Sequence, residues 1–241
     1  MPSPVTECAT ITLKPGIDLG TSGTDSAQAW NETLATVAKQ AGYQRSYWGR
    51  QLENPNIVVW LIDWESLAAH QTFMASPSYQ PFAARLLPLT ENVHLHHFTP
   101  SVFPPGIIAS APVIEFATFY DTKPVFVGNV RKFEGVLDQA KAKGDVDVDE
   151  YLGGVWGEDV RSRRSEEKEG LSADLLPPVI EDIAKNGASE GKGRAIRLCL
   201  GWTSKEAHMK FRETQLFKDN IALLREGVGS AEVHHVAFKT V

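Results

Sequence analysis

Polar and apolar positions change period in a fixed order along the chain, and they do so twice. The runs Ala9 to Leu13 and Val113 to Tyr120 are rich in β-branched and aromatic residues and predict strands. Behind the first, Trp30, Leu34, Val37, Ala38 and Ala41 recur at helical spacing, with Asp25 and Ser26 as caps and Gly42 as the stop. Behind the second, Val130, Phe133, Leu137 and Ala140 form the same stripe and Gly144 follows. Strands are then expected at Tyr43 to Gln51 and Ile57 to Trp64, joined by the turn Glu53-Asn54-Pro55-Asn56. Their partners are Tyr151 to Gly157 and Ala195 to Trp202. A helical region opens after Trp64 on the cap Ser66, breaks at Ser76-Pro77, and resumes with Tyr79, Ala83 and Leu86 on one face. Phe217, Ile221 and Leu224 repeat that face. The closing strands are Val93 to Phe98 and Ala231 to Phe238.

The two passes are copies of each other. An offset of 138 residues aligns Trp64 with Trp202, Ser66 with Ser204, His70 with His208, Phe73 with Phe211, Tyr79 with Phe217, and His96-His97 with His234-His235, without a gap. Upstream, Trp48-Gly49 matches Trp156-Gly157 once about 30 extra residues of the second copy are removed. Self-similarity of this kind fixes an architecture before any propensity argument does.

The order βαββαβ is the ferredoxin-like plan, in which two helices cover one face of a four-stranded antiparallel sheet. The bare face needs a cover, and the other copy supplies one. The expected class is therefore α+β: two ferredoxin-like repeats forming a pseudo-dimeric α/β barrel in one chain. Residues 1–103 form the first repeat, 104–112 a linker rich in Pro and Ala, and 113–241 the second, with an insertion at 158–193.

Composition narrows the function classes. The chain has 241 residues, 42% of them hydrophobic, and a net charge of −6 with dispersed Lys and Arg, which excludes the basic footprint of a nucleic-acid binder. It has no apolar stretch of membrane-spanning length and no signal-like start, so a cytoplasmic location is expected, with no membrane partner. Cys8 and Cys199 fall inside strand-like runs and read as small buried thiols. Glycine-rich phosphate loops, a nucleophile elbow, Cys-x-x-Cys pairs and closely spaced carboxylates are all missing from the sequence.

The stretch from Trp64 to Tyr79, WESLAAHQTFMASPSY, followed by the His96-His97-Phe98 ending, resembles the dimeric α/β barrel superfamily, in its antibiotic-biosynthesis-monooxygenase-like (ABM-like) branch. The fused double form is similar to fungal proteins of that type. The resemblance implies a fold compatible with cofactor-free oxygenases, polyketide cyclases, haem-degrading enzymes and stress-related barrels. For a cyclase it implies a His with a Tyr partner, and His70 and His96 with Tyr47 or Tyr79 are the matching candidates.

All seven histidines fall in the helical region or on the closing strands. His94, His96 and Phe98 share one strand face and His97 the other. If the first face meets the helices, His96 approaches His70 and His234 approaches His208, giving each half an acid–base pair. The plain alternative is that such pairs only satisfy each other. A metal reading joins His94 and His96 to His70, but the second copy has Glu232 in place of His94. A haem reading uses His70 or His208 as the axial ligand. Trp48, Trp64 and Phe73, with Trp156, Trp202 and Phe211, are candidate walls for an aromatic ligand as well as ordinary core residues. In the insertion, Leu176, Val179, Ile180 and Ile183 suggest an amphipathic helix that could act as a lid, preceded by a mixed-charge run from Arg161 to Glu169.

The resulting expectation is an enzyme of secondary metabolism without cofactor or metal, using His chemistry for cyclisation, dehydration, isomerisation or monooxygenation. Its partner is a small apolar, aromatic or polyketide-like metabolite; a further homodimer is left open. The alternatives are a barrel that binds an apolar ligand without converting it, and a haem- or metal-dependent enzyme.

Overall fold

The computed structural model describes residues 3–160 and 194–241. The charge run and the insertion helix expected above lie outside these residues. Nine strands are described: β1 Val5–Leu13, β2 Tyr43–Arg50, β3 Ile57–Trp64, β4 Thr90–Pro100, β5 Val113–Tyr120, β6 Tyr151–Asp159, β7 Ile196–Trp202, β8 Ser230–Val236 and β9 Lys239–Thr240. The first repeat carries helices α1 Asp25–Ala38, α2 Leu67–Met74 and α3 Tyr79–Leu86; the second carries α5 Val125–Ala142, α6 Lys205–Phe211 and α7 Gln215–Asn220. Among the described residues no helix is long and apolar enough to cross a membrane.

Several boundaries differ from the sequence reading for local reasons. Thr24, not Asp25 or Ser26, caps α1 by accepting the Ala27 N–H, while the Ser26 hydroxyl donates to the Asp18 carbonyl. Ser66 and its counterpart Ser204 do cap α2 and α6, each accepting an N–H three residues on. The first strand starts at Val5, four residues before the expected Ala9, which brings Glu7 and Cys8 into the sheet. The stretch between the repeats is not a bare linker. It holds the short helix α4, Gly106–Ser110, whose Ile108 is buried against the strands.

All nine strands form one sheet in the order β8-β5-β7-β6-β4-β1-β3-β2-β9, with every pairing antiparallel. The repeats join twice, in the same way. β4 of the first pairs with β6 of the second through Phe98↔Asp159 to Pro100↔Gly157. β9 of the second pairs with β2 of the first, and Gln51 bridges to Val236 at the end of β8. The sheet thus closes on itself, leaving no free edge between the repeats. The recurrent Trp-Gly dipeptide has its explanation at these joints. A Cβ on Gly49 would lie 2.5 Å from the Ala237 carbonyl oxygen, and one on Gly157 2.5 Å from that of Thr99. Only glycine lets the neighbouring repeat come so near.

Closure separates three apolar layers. Cys8, Tyr47, Val59, Leu61, Phe98, Phe116 and Cys199 pack inside the barrel. Their strand neighbours, among them Ala9, Trp60, Ile62 and Val93, face outward under α1, α2 and α3. Leu198, Leu200 and Trp202 do the same under α5 and α6. Both cysteines are buried free thiols, as expected.

Candidate active site between helices and sheet

In the outer layer of the first repeat, four elements bring four polar side chains together. Glu7 comes from β1, Trp64 from the end of β3, His70 from α2 and His97 from β4. The Trp64 indole N–H donates to Glu7 Oε2 at 2.8 Å. His70 Nε2 lies 3.4 Å from the same oxygen, and His70 Nδ1 is 2.7 Å from His97 Nε2. The His70 ring stacks on Trp64 with centroids 5.1 Å apart. Glu7 and His70 are 4% and 3% exposed, so each depends on the others to satisfy it.

The second repeat has the same tetrad. Trp202 Nε1 donates to Glu115 Oε2 at 3.2 Å, His208 Nε2 is 3.3 Å from that oxygen, and His208 Nδ1 is 2.7 Å from His235 Nε2. There the chain of contacts continues. His235 Nδ1 meets Glu53 Oε1 at 2.6 Å, the His235 backbone N–H donates to Glu53 Oε2 at 2.9 Å, and Lys205 Nζ stands 2.9 Å from Glu53 Oε1. Glu53 belongs to the first repeat, so this contact joins the two halves.

The environment sets the charge states. Burial raises the Glu7 carboxyl, with the nearby His97 and the Trp64 hydrogen bond acting in opposition. Burial likewise pushes Glu115 up to about 7, against the Trp202 hydrogen bond. Burial lowers His70 to about 4; it lowers His97 to about 4 as well, with Glu7 opposing and His70 and Arg197 assisting. Both imidazoles are therefore neutral near pH 7. The Glu7–His70 contact is a hydrogen-bonding one between groups that can share a proton, not a fixed ion pair.

Glu7, Trp64 and His70 line a cleft with Phe73, Tyr79 and Phe82, and the rest of its wall is apolar, including Ile11, Val37, Ile62 and Leu95. Its cavity volume is about 60 Å³, and the space between the walls opens to solvent at its mouth. Both contacts of the Glu7 carboxylate fall on Oε2, and no hydrogen bond to its Oε1 is found among the described residues. Burial also pushes the Tyr79 hydroxyl well up, with the Glu7 charge adding to the shift, so the phenol stays protonated.

His70, Trp64, Phe73 and Tyr79 thus come together as the sequence suggested. The expected partner of His70 does not. His96 faces the barrel interior, 3.9 Å from Asp159, and His97 takes the place beside His70. His234 likewise points inward, stacked on Phe116 at 5.3 Å, and His235 meets His208. The alternation along the strand was right and the face was wrong. Val93 and Leu95 share the helix-covered face with His97, while Phe98 shares the inward face with His96. Tyr47 packs inside the barrel, away from His70. Trp48 is outside the cleft, edge-on to Trp30 at 5.3 Å and under Lys239. Trp156 lies beneath Arg131, while Trp202 and Phe211 stack beside His208 as their counterparts do beside His70. His94 bonds to Asn92 instead of completing a set with His96 and His70.

Glu7 and Glu115 had no place in the expected site, although the offset that matches Trp48 with Trp156 also matches them. Among the described residues, Glu7, His70 and His97 are the group whose donor atoms come within 4.8 Å of one another. The two nitrogens of His70 face different partners, however, and an ion could take only one of them while breaking the contact made by the other.

Residues 6–85 match the family model described as Antibiotic biosynthesis monooxygenase, and the stretch from Trp64 to Tyr79 that resembled this branch lies within the match. Among solved structures, an anthrone oxidase-like protein superposes with a TM-score of 0.60 at 13% identity, covering 99% of this chain and 93% of that one. A candidate monooxygenase from Fusobacterium nucleatum superposes with a TM-score of 0.54 at 10% identity, covering 99% and 94%. Another from Lactobacillus acidophilus gives 0.52 at 10% identity, covering 99% and 96%. These likenesses extend through both repeats and establish the fold. No curated protein sequence matches the chain significantly.

Proposed function

We propose that the cleft of the first repeat oxygenates an aromatic, enolisable metabolite of the polyketide type without a cofactor, with Glu7 as the base. The observation that carries this reading is the buried Glu7 carboxylate lining an apolar cleft, backed by His70. A carboxylate whose affinity for protons is raised by burial is a better base when ionised. Trp64 and His70 both engage Glu7 Oε2 and hold the carboxylate in place.

The chemistry needs no bound electron carrier because the substrate supplies all four electrons that reduce O₂ to a carbonyl oxygen and a water. Glu7 takes a proton from a ring methylene activated by a neighbouring ketone, leaving a carbanion. The carbanion passes an electron to O₂, and the resulting radical pair combines into a carbon–peroxide bond. The peroxide takes a proton, a base removes the second methylene hydrogen, and the O–O bond breaks. The products are a new ketone and, after protonation of the hydroxide, water. One O₂ is consumed for each ketone formed. Phe73, Tyr79 and Phe82 supply flat walls for such a substrate, and the apolar lining keeps bulk water from competing with Glu7.

Anthrone is a suitable probe, since its central methylene is of this kind and its oxidation to anthraquinone is visible by absorbance. Purified protein should accelerate that conversion with stoichiometric O₂ uptake. Glu7→Gln should reduce kcat by about 10²-fold or more, the usual range for loss of a general base, while retaining anthrone binding measured by tryptophan fluorescence. Full turnover in both Glu7→Gln and His70→Gln would refute this assignment. Binding without any conversion, across a panel of enolisable polycyclic ketones, would instead identify a ligand-holding barrel.

A further inference from the structure

The two tetrads share the same internal contacts and differ beyond their last histidine. In the second repeat, the outer nitrogen of the last histidine, His235 Nδ1, is closed by Glu53, itself held by Lys205. In the first, His97 Nδ1 has no hydrogen-bond partner among the described residues, and His97 is partly exposed. The surrounding backbone does not account for the contrast. Val160 N–H donates to the His97 carbonyl at 2.7 Å, as Leu52 N–H does to that of His235 at 2.8 Å. The difference lies in the side chains. Glu53 has no counterpart beside His97 among the described residues, and Lys205 has Leu67 as its counterpart in the aligned sequence.

We propose that Glu7, His70 and His97 form a proton relay leading from the first cleft to solvent, with His97 as its outlet, and that Glu53 closes the equivalent relay of the second repeat. The proposal rests on the reading of Glu7 as the base. A base buried among apolar walls must return its proton before the next turnover, and the peroxide intermediate needs one delivered. An imidazole between two partners serves both needs. Accepting a proton at one ring nitrogen while releasing one at the other moves the charge without rotating the ring. His70 stands between Glu7 and His97 in that arrangement, so a proton on Glu7 reaches His97 Nε2 through His70 and leaves at His97 Nδ1. In the second repeat the same path ends on a carboxylate already engaged by an N–H, an imidazole and an ammonium. There the chain of contacts acts as a fastening between repeats.

His97 does not itself line the cleft, so it acts through His70 as a positioning and relay residue. His97→Gln keeps the size and hydrogen bonding of the ring but cannot carry the proton onward. With anthrone and O₂, this variant should lower kcat at least tenfold with KM unchanged, flatten the pH profile, and regain rate on addition of imidazole. His235→Gln and Glu53→Gln should keep kcat within about twofold of the parent. If Glu7→Gln abolishes turnover while His97→Gln keeps the parental kcat and pH profile, the relay is wrong and the base stands. If Glu7→Gln has no effect, base and relay fall together. Histidine ring NMR of the unaltered protein tests the relay without relying on a variant's folding. His97 Nδ1 should exchange with solvent and His235 Nδ1 should be protected until Glu53 is replaced by Gln; equal protection of the two would overturn the proposal.

Discussion

Replacing Glu53 with Ala removes a side chain that ties the second repeat's tetrad to the first repeat, and its cost can be worked from the structure. Burial alone would raise the Glu53 carboxyl, but hydrogen bonds from the His235 N–H, Lys205 and the His235 ring outweigh it and hold the group at about 2, below its ordinary 4.5. At roughly 1.4 kcal/mol per unit this would be about 3 kcal/mol for an enclosed carboxylate. The side chain is 35% exposed, so solvent screening reduces the gain to about 1–2 kcal/mol. Truncation also leaves the His235 N–H and ring, in a residue only 4% exposed, without their acceptor, a penalty of about 1–3 kcal/mol. These contributions describe the same hydrogen bonds and overlap, giving an expected loss of about 2–3 kcal/mol at pH 7. Urea unfolding of parent and variant across pH measures it. Because the folded carboxyl lies below its unfolded value, the stabilisation is present above pH 4.5 and is lost as pH falls toward 2. The difference between the proteins should thus be constant from pH 8 to about 5 and then shrink. A loss under about 0.5 kcal/mol at pH 7, or a difference that stays unchanged below pH 4, would refute the reasoning.

Trp64→Phe keeps the stacking on His70 and deletes the N–H that holds the Glu7 carboxyl down, so the acidic limb of the anthrone rate profile should move to higher pH. A hydrogen bond to a charged group implies a fall in kcat/KM of roughly tenfold or more at pH 7, with Trp202→Phe as the unaffected control. Acid should destabilise the protein between pH 6.5 and about 4. His70, His97 and His234 lie at about 4 and His96 and His208 at about 3 when folded. The unfolded chain therefore takes up protons that the folded one refuses. Glu115 at about 7 and Asp63 at about 6 when folded, with Glu7 and Glu134 also raised by burial, oppose this by gaining stability as pH falls toward their ordinary values. The five histidines outnumber these four carboxyls, and the urea midpoint should be lower at pH 5 than at pH 7.5; the reverse order would mean that the buried carboxyls dominate. Gly49→Ala forces a Cβ to within 2.5 Å of the Ala237 carbonyl oxygen and should cost about 1–3 kcal/mol as an overpacked contact, read as a lower thermal midpoint.

The duplication was legible because it needs only self-comparison: Trp64 and Trp202, Ser66 and Ser204, and His70 and His208 keep their spacing whatever the fold. The helix caps at Ser66 and Ser204 and the break at Ser76-Pro77 were legible because they are local. The face of the closing strand was not. Alternation separates His96 from His97 but does not say which faces the helices, and that choice is made by closure of the barrel, where Phe98 turns inward to meet the other repeat. Glu7 escaped notice because a carboxylate beside a strand-like run looks like a solvated edge. Its burial makes sense only with partners such as Trp64, 57 residues away. Glu53 was read only as part of a turn, and its contact with His235 spans 182 residues and both repeats.

The repetition of the tetrad bears on what the tetrad is for. A Glu–Trp–His–His set that recurs with the same hydrogen bonds in both repeats satisfies its own buried groups in each, so satisfaction cannot distinguish a catalytic repeat from a structural one. The distinguishing features lie at the two ends of the set. At the inner end, the first repeat has a cleft lined by the Glu7 carboxylate and by Tyr79, where the second has Phe217. At the outer end, the first leaves His97 Nδ1 unbonded among the described residues, while the second binds the matching atom to Glu53. Proton chemistry needs both a reacting group that a substrate can reach and a route by which the base is reset. The first repeat has both ends of such a path, and in the second the outer end serves to fasten the barrel shut.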